Sequence, residues 1–222
     1  MSAFANAELV RRGPGRPSVR PDDETLRLII KVAAQAFQES GYAGTGVAAV
    51  AQSAGVSTKT LYRLVPTKAD LFKSVISDRI ERFILAIDEP DGGQDDLVAG
   101  LERILITYAR LILDPEVIAV TQLVLGECGR FPEIAQAFYE GAIQRTNEAM
   151  AGWLDRQRQL GPLVFDDSDI VAGMLRGMMV MEPQRAAMLG QSAAPDAAAI
   201  VERAELCAAL FLRGLSGFRA SM

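Results

Sequence analysis

Apolar residues recur along this chain at helical spacing, and no stretch of useful length alternates as a strand would. Leu26, Ile29, Ile30, Ala33 and Phe37 form one stripe, which predicts a helix of about 18 residues that follows Asp22-Asp23 and ends at Gly41. Val47, Val50, Ala51 and Ala54 stand at i, i+3, i+4 and i+7 and predict a short second helix. Gly55 supplies the left-handed geometry of a tight turn, and Ser57 is a good N-cap for a third helix. In that helix Val56, Leu61 and Leu64 can anchor inward, leaving Thr58, Lys59, Thr60, Tyr62 and Arg63 outward. Leu71, Phe72, Val75, Ile76, Ile80, Phe83, Ile84 and Ile87 then keep one helical face to about Asp88. Thr67 and Asp70 open this fourth helix with near capping-box spacing.

The clearest break is Glu89-Pro90-Asp91-Gly92-Gly93. Five helices are expected beyond it. One spans 94–113, with Leu97, Leu101, Ile104, Leu105, Tyr108 and Ile112 inward. Asp114-Pro115 starts another to about Glu127, as an N-cap followed by a first-turn proline. Phe131-Pro132-Glu133 starts a long helix to about Leu160, Asp166-Asp167-Ser168 a further one, and Pro195-Asp196 the last, to about Phe218. The expected fold is all-α, with about nine helices. Its parts are a flexible basic arm over 1–20, a helix-turn-helix domain over 21–68, a connecting helix over 69–88, and a larger helical domain over 94–222.

Two short helices joined by a glycine turn, the second polar outside, describe a helix-turn-helix that can enter a DNA major groove. The charge distribution agrees. Residues 1–82 carry 12 Lys+Arg against 8 Asp+Glu, and residues 83–222 carry 11 against 20, which together give the net −5. A basic end on an acidic body suits a DNA reader whose body is repelled by phosphates. In the arm, Arg11, Arg12 and Arg16 stand among two glycines and two prolines. Such a stretch cannot pack a core, but its arginines can reach phosphates or a narrow minor groove; the plainer reading is a solubilising tail.

Other classes lose support. The chain has no histidine, so Ser-His-Asp and Cys-His catalysis and histidine metal sites are absent. Gly44-Thr45-Gly46-Val47-Ala48-Ala49 matches a dinucleotide-binding pattern, but that fingerprint needs a preceding strand and here follows a helix. No metal and no cofactor is expected. Cys128 and Cys207 lie 79 positions apart without metal-type spacing and read as free thiols of a reducing cytoplasm, with a redox-sensing pair as the alternative. No apolar run long enough for a membrane span and no secretory-signal pattern occurs, so a cytoplasmic protein without membrane contact is expected.

Ala34-x-x-Phe37-x-x-x-Gly41-Tyr42, Val50-Ala51-x-x-Ala54-Gly55-Val56-Ser57-x-x-x-Leu61-Tyr62 and Lys68-x-x-Leu71 are ordered and spaced as in one known family. Over Leu26 to about Phe83 the chain resembles the N-terminal domain of the TetR/AcrR family of bacterial transcriptional regulators. Later helices resemble the family only in number and length, apart from Glu127-x-x-Arg130-Phe131-Pro132-Glu133, which is similar to a subset of members. Two positions depart from the pattern. Leu64-Val65 stands where the family usually carries His-Phe or a similar pair, and Gly46 where Ser or Thr usually caps the second helix. Thr45 is then the available capping side chain, and glycine itself is tolerated there.

The resemblance implies a homodimer with its third helix in the major groove of double-stranded operator DNA, and a ligand pocket and dimer face in the larger lobe. Lys59 suits a guanine edge or a phosphate, and Thr58 and Thr60 suit base contacts. Ser57 and Arg63 belong to the same surface, while Thr45, Tyr62 and Lys68 suit the DNA backbone. Candidate pocket residues are Tyr108, Glu127, Phe131, Phe138, Trp153, Met174 and Met178, with ordinary core packing or a surface position as the alternative. Candidate dimer residues are Gly173, Gly177, Leu206, Leu210, Phe211 and Gly214, with intramolecular packing as the alternative. The expected function is a repressor that binds an inverted-repeat operator and is released by an unidentified small, largely apolar ligand. A regulator of the same fold controlled by a protein partner or by concentration is the first alternative, and an enzyme a distant one.

Overall fold

A computed structural model describes residues 20–88, 96–161 and 163–219, with side chains to Leu215. All regular structure among the described residues is helical. In chain order the helices are α1 Asp22–Gly44, α2 Val47–Ser53, α3 Thr58–Leu64, α4 Lys68–Asp88, α5 Leu97–Ile112, α6 Pro115–Glu127, α7 Pro132–Phe138, α8 Arg145–Leu160, α9 Ser168–Met188 and α10 Ala197–Arg219. A π-helical turn, Tyr139–Gln144, joins α7 to α8 without a break, so the two form the one long helix expected from Pro132 to Leu160. Counted that way, nine helical rods stand among the described residues, as the sequence pattern predicts.

Short polar side chains set where the rods begin. Asp96, Asp114 and Asp167 each accept two backbone N–H bonds at the starts of α5, α6 and α9, and Asp196 accepts from Ala199 at the start of α10. Each such cap contributes about 1 kcal/mol by satisfying donors the helix leaves orphaned. Thr67 Oγ1 accepts from Asp70 N at 3.0 Å and donates to the Asp70 carboxylate at 2.7 Å, which realises the expected cap of α4. Gly41 has φ 70° and ψ 177°, so the regular part of α1 ends there and Tyr42–Gly44 form a separate last turn.

Two hydrophobic cores share α4. The lower one gathers Ile29, Ala33 and Phe37 of α1, Val50 and Ala51 of α2, Leu61 of α3 and the first half of α4. The upper one gathers Phe83 and Ile87 from the second half of α4 with α5, α8, α9 and α10. Val124 of α6 and Ile134 and Ala137 of α7 belong to the lower core. The larger lobe therefore supplies part of the packing that holds α1 and α4 in place. An aromatic cluster marks the seam: Phe37, Tyr42 and Phe72 lie 5.2–5.8 Å apart between ring centres, and Phe131 packs edge-on against Tyr42 at 5.2 Å. Each such pair adds about 0.5–1.5 kcal/mol beyond its buried area.

Candidate functional site

The turn between α2 and α3 depends on Gly55, whose φ of +66° places it in the left-handed region. Val56 N closes the turn on the Ala51 carbonyl at 3.0 Å. The Ser57 hydroxyl accepts from Thr60 N at 3.0 Å and so caps α3, and it meets the Thr60 hydroxyl at 2.8 Å. Leu61 and Val65 are buried, and Val65 fills the lower core at the position where the resembled family usually has an aromatic ring. With the inward face thus occupied, Thr58, Lys59 and Tyr62 stand on an exposed face of α3. This surface presents an ammonium, hydroxyls and one aromatic ring, groups able to bind base edges and phosphates.

Three residues expected on this surface have structural partners. Thr45 is buried, and its hydroxyl donates to the carbonyls of Gly41 at 2.7 Å and Ala36 at 3.0 Å. It is turned away from solvent and does not cap α2, whose N-cap is Gly46 with no side-chain bond. The physical reason is the break at Gly41, which leaves carbonyls near the end of α1 in need of a donor. Arg63 makes a two-pronged ion pair with Asp22, both bonds at 2.7 Å, tying α3 to the first turn of α1. That hydrogen bond and charge hold the Asp22 carboxyl below the usual range. Lys68 places its ammonium 4.6 Å from the centre of the Tyr42 ring, and 3.5 Å from the Ala43 carbonyl. Burial pushes its pKa down, against the opposing charges of Glu127 and Glu133. Arg11, Arg12 and Arg16 lie outside the described residues.

Glu127 is the residue that most departs from expectation. It stands at the end of α6, outside the lining of the cavity described below, and its carboxylate accepts from the backbone N–H of Tyr42 and of Ala43, both at 3.0 Å. The break at Gly41 frees these two donors, because a continuous helix would have used them. Negative charge is also favoured at donors of this kind. The end of α6 is thus clamped to the end of α1.

Between the two cores lies a cavity of about 430 Å³. Its walls are Val75, Ile76, Arg79 and Ile80 of α4, Tyr108 and Leu111 of α5, and Val117, Val120 and Thr121 of α6. Phe138, Ala142 and Thr146 close it from the α7–α8 rod, and Gly173, Arg176, Val180 and Gln184 from α9. The π-helical turn puts Ala142 and Ile143 against this space. Of the expected pocket residues, Tyr108 and Phe138 line it. Glu127, Phe131, Trp153, Met174 and Met178 do not. Glu127 and Phe131 hold the seam with α1, Trp153 is buried in the upper core, and Met174 and Met178 are exposed on α9.

The sequence reading missed both arginines of the cavity. Each was legible as a charge on an apolar face: Arg79 stands four positions from Val75 and from Phe83, and Arg176 four from Ala172 and from Val180. Arg79 is neutralised by Asp114 at 3.1 Å and by Glu116.

The exposed apolar residues of the larger lobe concentrate on α9 and α10. Ile170, Met174, Met178 and Met181 run along α9, and Leu206 and Leu210 along α10, with Met174 and Leu206 each about 60% exposed. Among the expected dimer residues, Leu206, Leu210 and Gly214 lie exposed, Phe211 packs against the upper core, and Gly173 and Gly177 border the cavity. Cys128 and Cys207 are both free, and burial pushes the Cys207 thiol pKa up, which makes it less reactive. Among the described residues, no group of three metal-ligating side chains occurs, and no helix is long and apolar enough to cross a membrane.

A helix-turn-helix head with an exposed polar third helix, carried on a larger all-helical lobe that encloses a cavity, defines a DNA-binding transcriptional regulator. Residues 29–75 match the family described as bacterial regulatory proteins, tetR family, and residues 99–214 match the AefR-like transcriptional repressor, C-terminal domain. The chain belongs to the TetR family of bacterial transcriptional regulators. It is 25% identical over 148 residues to the HTH-type transcriptional regulator YezE of Bacillus subtilis (strain 168), covering 65% of this chain and 76% of YezE. Among solved structures it is similar to a TetR-family transcriptional regulator from Mesorhizobium loti MAFF303099. That match has 25% identity and a TM-score of 0.72 over 88% of this chain and 98% of the other. It is also similar to the Flavonoid-responsive Regulator FrrA, at 29% identity and a TM-score of 0.71 over 86% and 97% of the two chains.

Proposed function

We propose that this protein is a cytoplasmic homodimeric repressor that binds an inverted-repeat operator through α3 and is released by a small, largely apolar ligand in the cavity. One observation carries the ligand response. The cavity is walled by α4 and α6, and these same helices hold the reading head: the first half of α4 packs in the lower core, and α6 ends in the Glu127 clamp on α1. A ligand that fits one arrangement of α4 and α6 better than another therefore changes the placement of the head. A difference in affinity of about 1–3 kcal/mol between two states is enough for such a switch. FrrA, described as flavonoid-responsive, supports a small-molecule effector in this architecture.

The dimer reading rests on the apolar stripe of α9 and α10, which a second copy would cover. A seven-residue recognition helix reads few base pairs, so two heads related by a two-fold axis are needed for specificity. Selection of bound DNA from a random library with the full-length protein tests the reading. Enrichment of one inverted repeat supports it and supplies an operator for ligand-release assays. Binding without any enriched motif, falling steeply with salt, would refute the sequence-specific dimer.

A further inference from the structure

The polar groups of the cavity are unequal. Thr121 and Thr146 turn their hydroxyls back onto helix carbonyls, Val117 for the first and Ala142 and Ile143 for the second. Arg79 is matched by two carboxylates. Arg176 is different. Its Nε donates to the Tyr108 hydroxyl oxygen at 3.1 Å and its Nη1 to Asn147 Oδ1 at 2.8 Å, and both acceptors are neutral. Among the described residues Arg176 has no carboxylate partner and its Nη2 no hydrogen-bond acceptor. The nearest acid in this chain of contacts, Asp169, is one step removed and accepts from Asn147 Nδ2 at 2.8 Å.

Tyr108 is buried, and Arg176 occupies its hydroxyl oxygen. Its own proton has no acceptor among the described residues, and burial raises the hydroxyl pKa, so the donor stays in place at neutral pH. The cavity therefore holds a guanidinium edge and a hydroxyl proton side by side, both without an acceptor, in a mostly apolar wall that carries no carboxylate. Leaving a cation so incompletely paired in apolar surroundings is unfavourable unless something completes it.

Resting on the reading of this cavity as the effector site, we infer that the effector is an amphiphilic oxyanion. Its apolar body fills the space between α4, α6 and α9, and a carboxylate or phenolate oxygen accepts from Arg176 Nη2 and the Tyr108 hydroxyl. A charge-assisted bond to a planar guanidinium is stronger than a neutral one, so the anion outbinds a neutral analogue of the same shape.

Matched probes test this on the full-length protein by calorimetry: decanoate against decanol for an aliphatic body, and naphthoate against naphthylmethanol for an aromatic one. In at least one pair the anion should bind about tenfold tighter or more. Arg176→Met keeps the side-chain bulk and removes the charge. It should bring anion and alcohol within about twofold of each other, with the anion losing far more affinity than the alcohol. Arg176→Lys, which keeps the charge, should retain part of the preference and shows that the loss in Arg176→Met is not misfolding. Equal binding of anion and alcohol to the wild type would overturn the oxyanion inference and leave the effector cavity standing. A preference that survives in Arg176→Met would overturn the assignment to this residue. Failure of all four probes to bind would overturn the inference and count against the effector reading as well.

Discussion

Gly41 and Glu127 form a coupled pair whose energetics can be worked from the geometry. A Cβ added at Gly41 would stand 2.7 Å from Glu127 Oε1, closer than such atoms approach. The backbone there has φ 70° and ψ 177°, a region that essentially only glycine adopts, so Gly41→Ala carries about 1–3 kcal/mol of strain. The carboxylate is the far end of a flexible side chain and can swing aside. Doing so breaks its bonds to Tyr42 N and Ala43 N, worth about 1 kcal/mol each, since one is partly buried and the other exposed. Gly41→Ala should therefore destabilise by about 3–5 kcal/mol, and Glu127→Ala by about 2. The double variant should lose no more than Gly41→Ala alone, because the clamp can be lost only once. The predicted interaction energy is about −2 kcal/mol. Urea unfolding of the four proteins at one fixed protein concentration measures it, fixed because the midpoint of any protein that self-associates depends on concentration. Additivity within about 0.5 kcal/mol would refute the idea that the glycine exists to admit the carboxylate.

Other outcomes follow from single features. Lys59→Ala should weaken operator binding by about 1–3 kcal/mol if it reads a base edge; unchanged affinity and salt dependence in fluorescence anisotropy would remove Lys59 from the interface. Leu206→Glu with Leu210→Glu should abolish the proposed dimer in sedimentation, and a monomeric wild type at micromolar concentration would refute the α9–α10 interface. Burial, and then the neighbouring charge of Glu133, push the Tyr42 hydroxyl up to about 12. Its folded value lies above the unfolded value of 10.0, so its contribution to stability is intact below pH 10 and is lost as pH rises toward 12. The tyrosinate absorbance titration of Tyr42→Phe should lack a late component that the wild type shows.

Much of this molecule is legible in its residues because the signals are local. Helix starts follow from capping aspartates such as Asp114 and Asp167, and the turn before α3 from a glycine with positive φ at position 55. The exposed face of α3 follows from the spacing of Leu61 and its neighbours, since a helix of seven residues has only one face to bury. The sequence by itself therefore determined an all-helical chain, most of its helix boundaries and the exposed face of α3.

Only the tertiary structure decided which residues share the cavity. Periodicity marks a face as apolar but does not say whether that face meets core, cavity or solvent. Trp153, Met174 and Met178 all read as apolar pocket candidates, yet one is buried in the upper core and two are exposed on α9. Glu127 read as a ligand contact because its partners, the amides of Tyr42 and Ala43, lie 85 and 84 positions away and are backbone groups that every sequence contains. Arg176 showed the same limit from the other side. Its place on an apolar face was visible, but its neutral partners come from α5 and α8, and only packing brings three helices to one guanidinium. Long-range pairing of this kind is set by how rods cross, and a pattern read along one rod does not contain it.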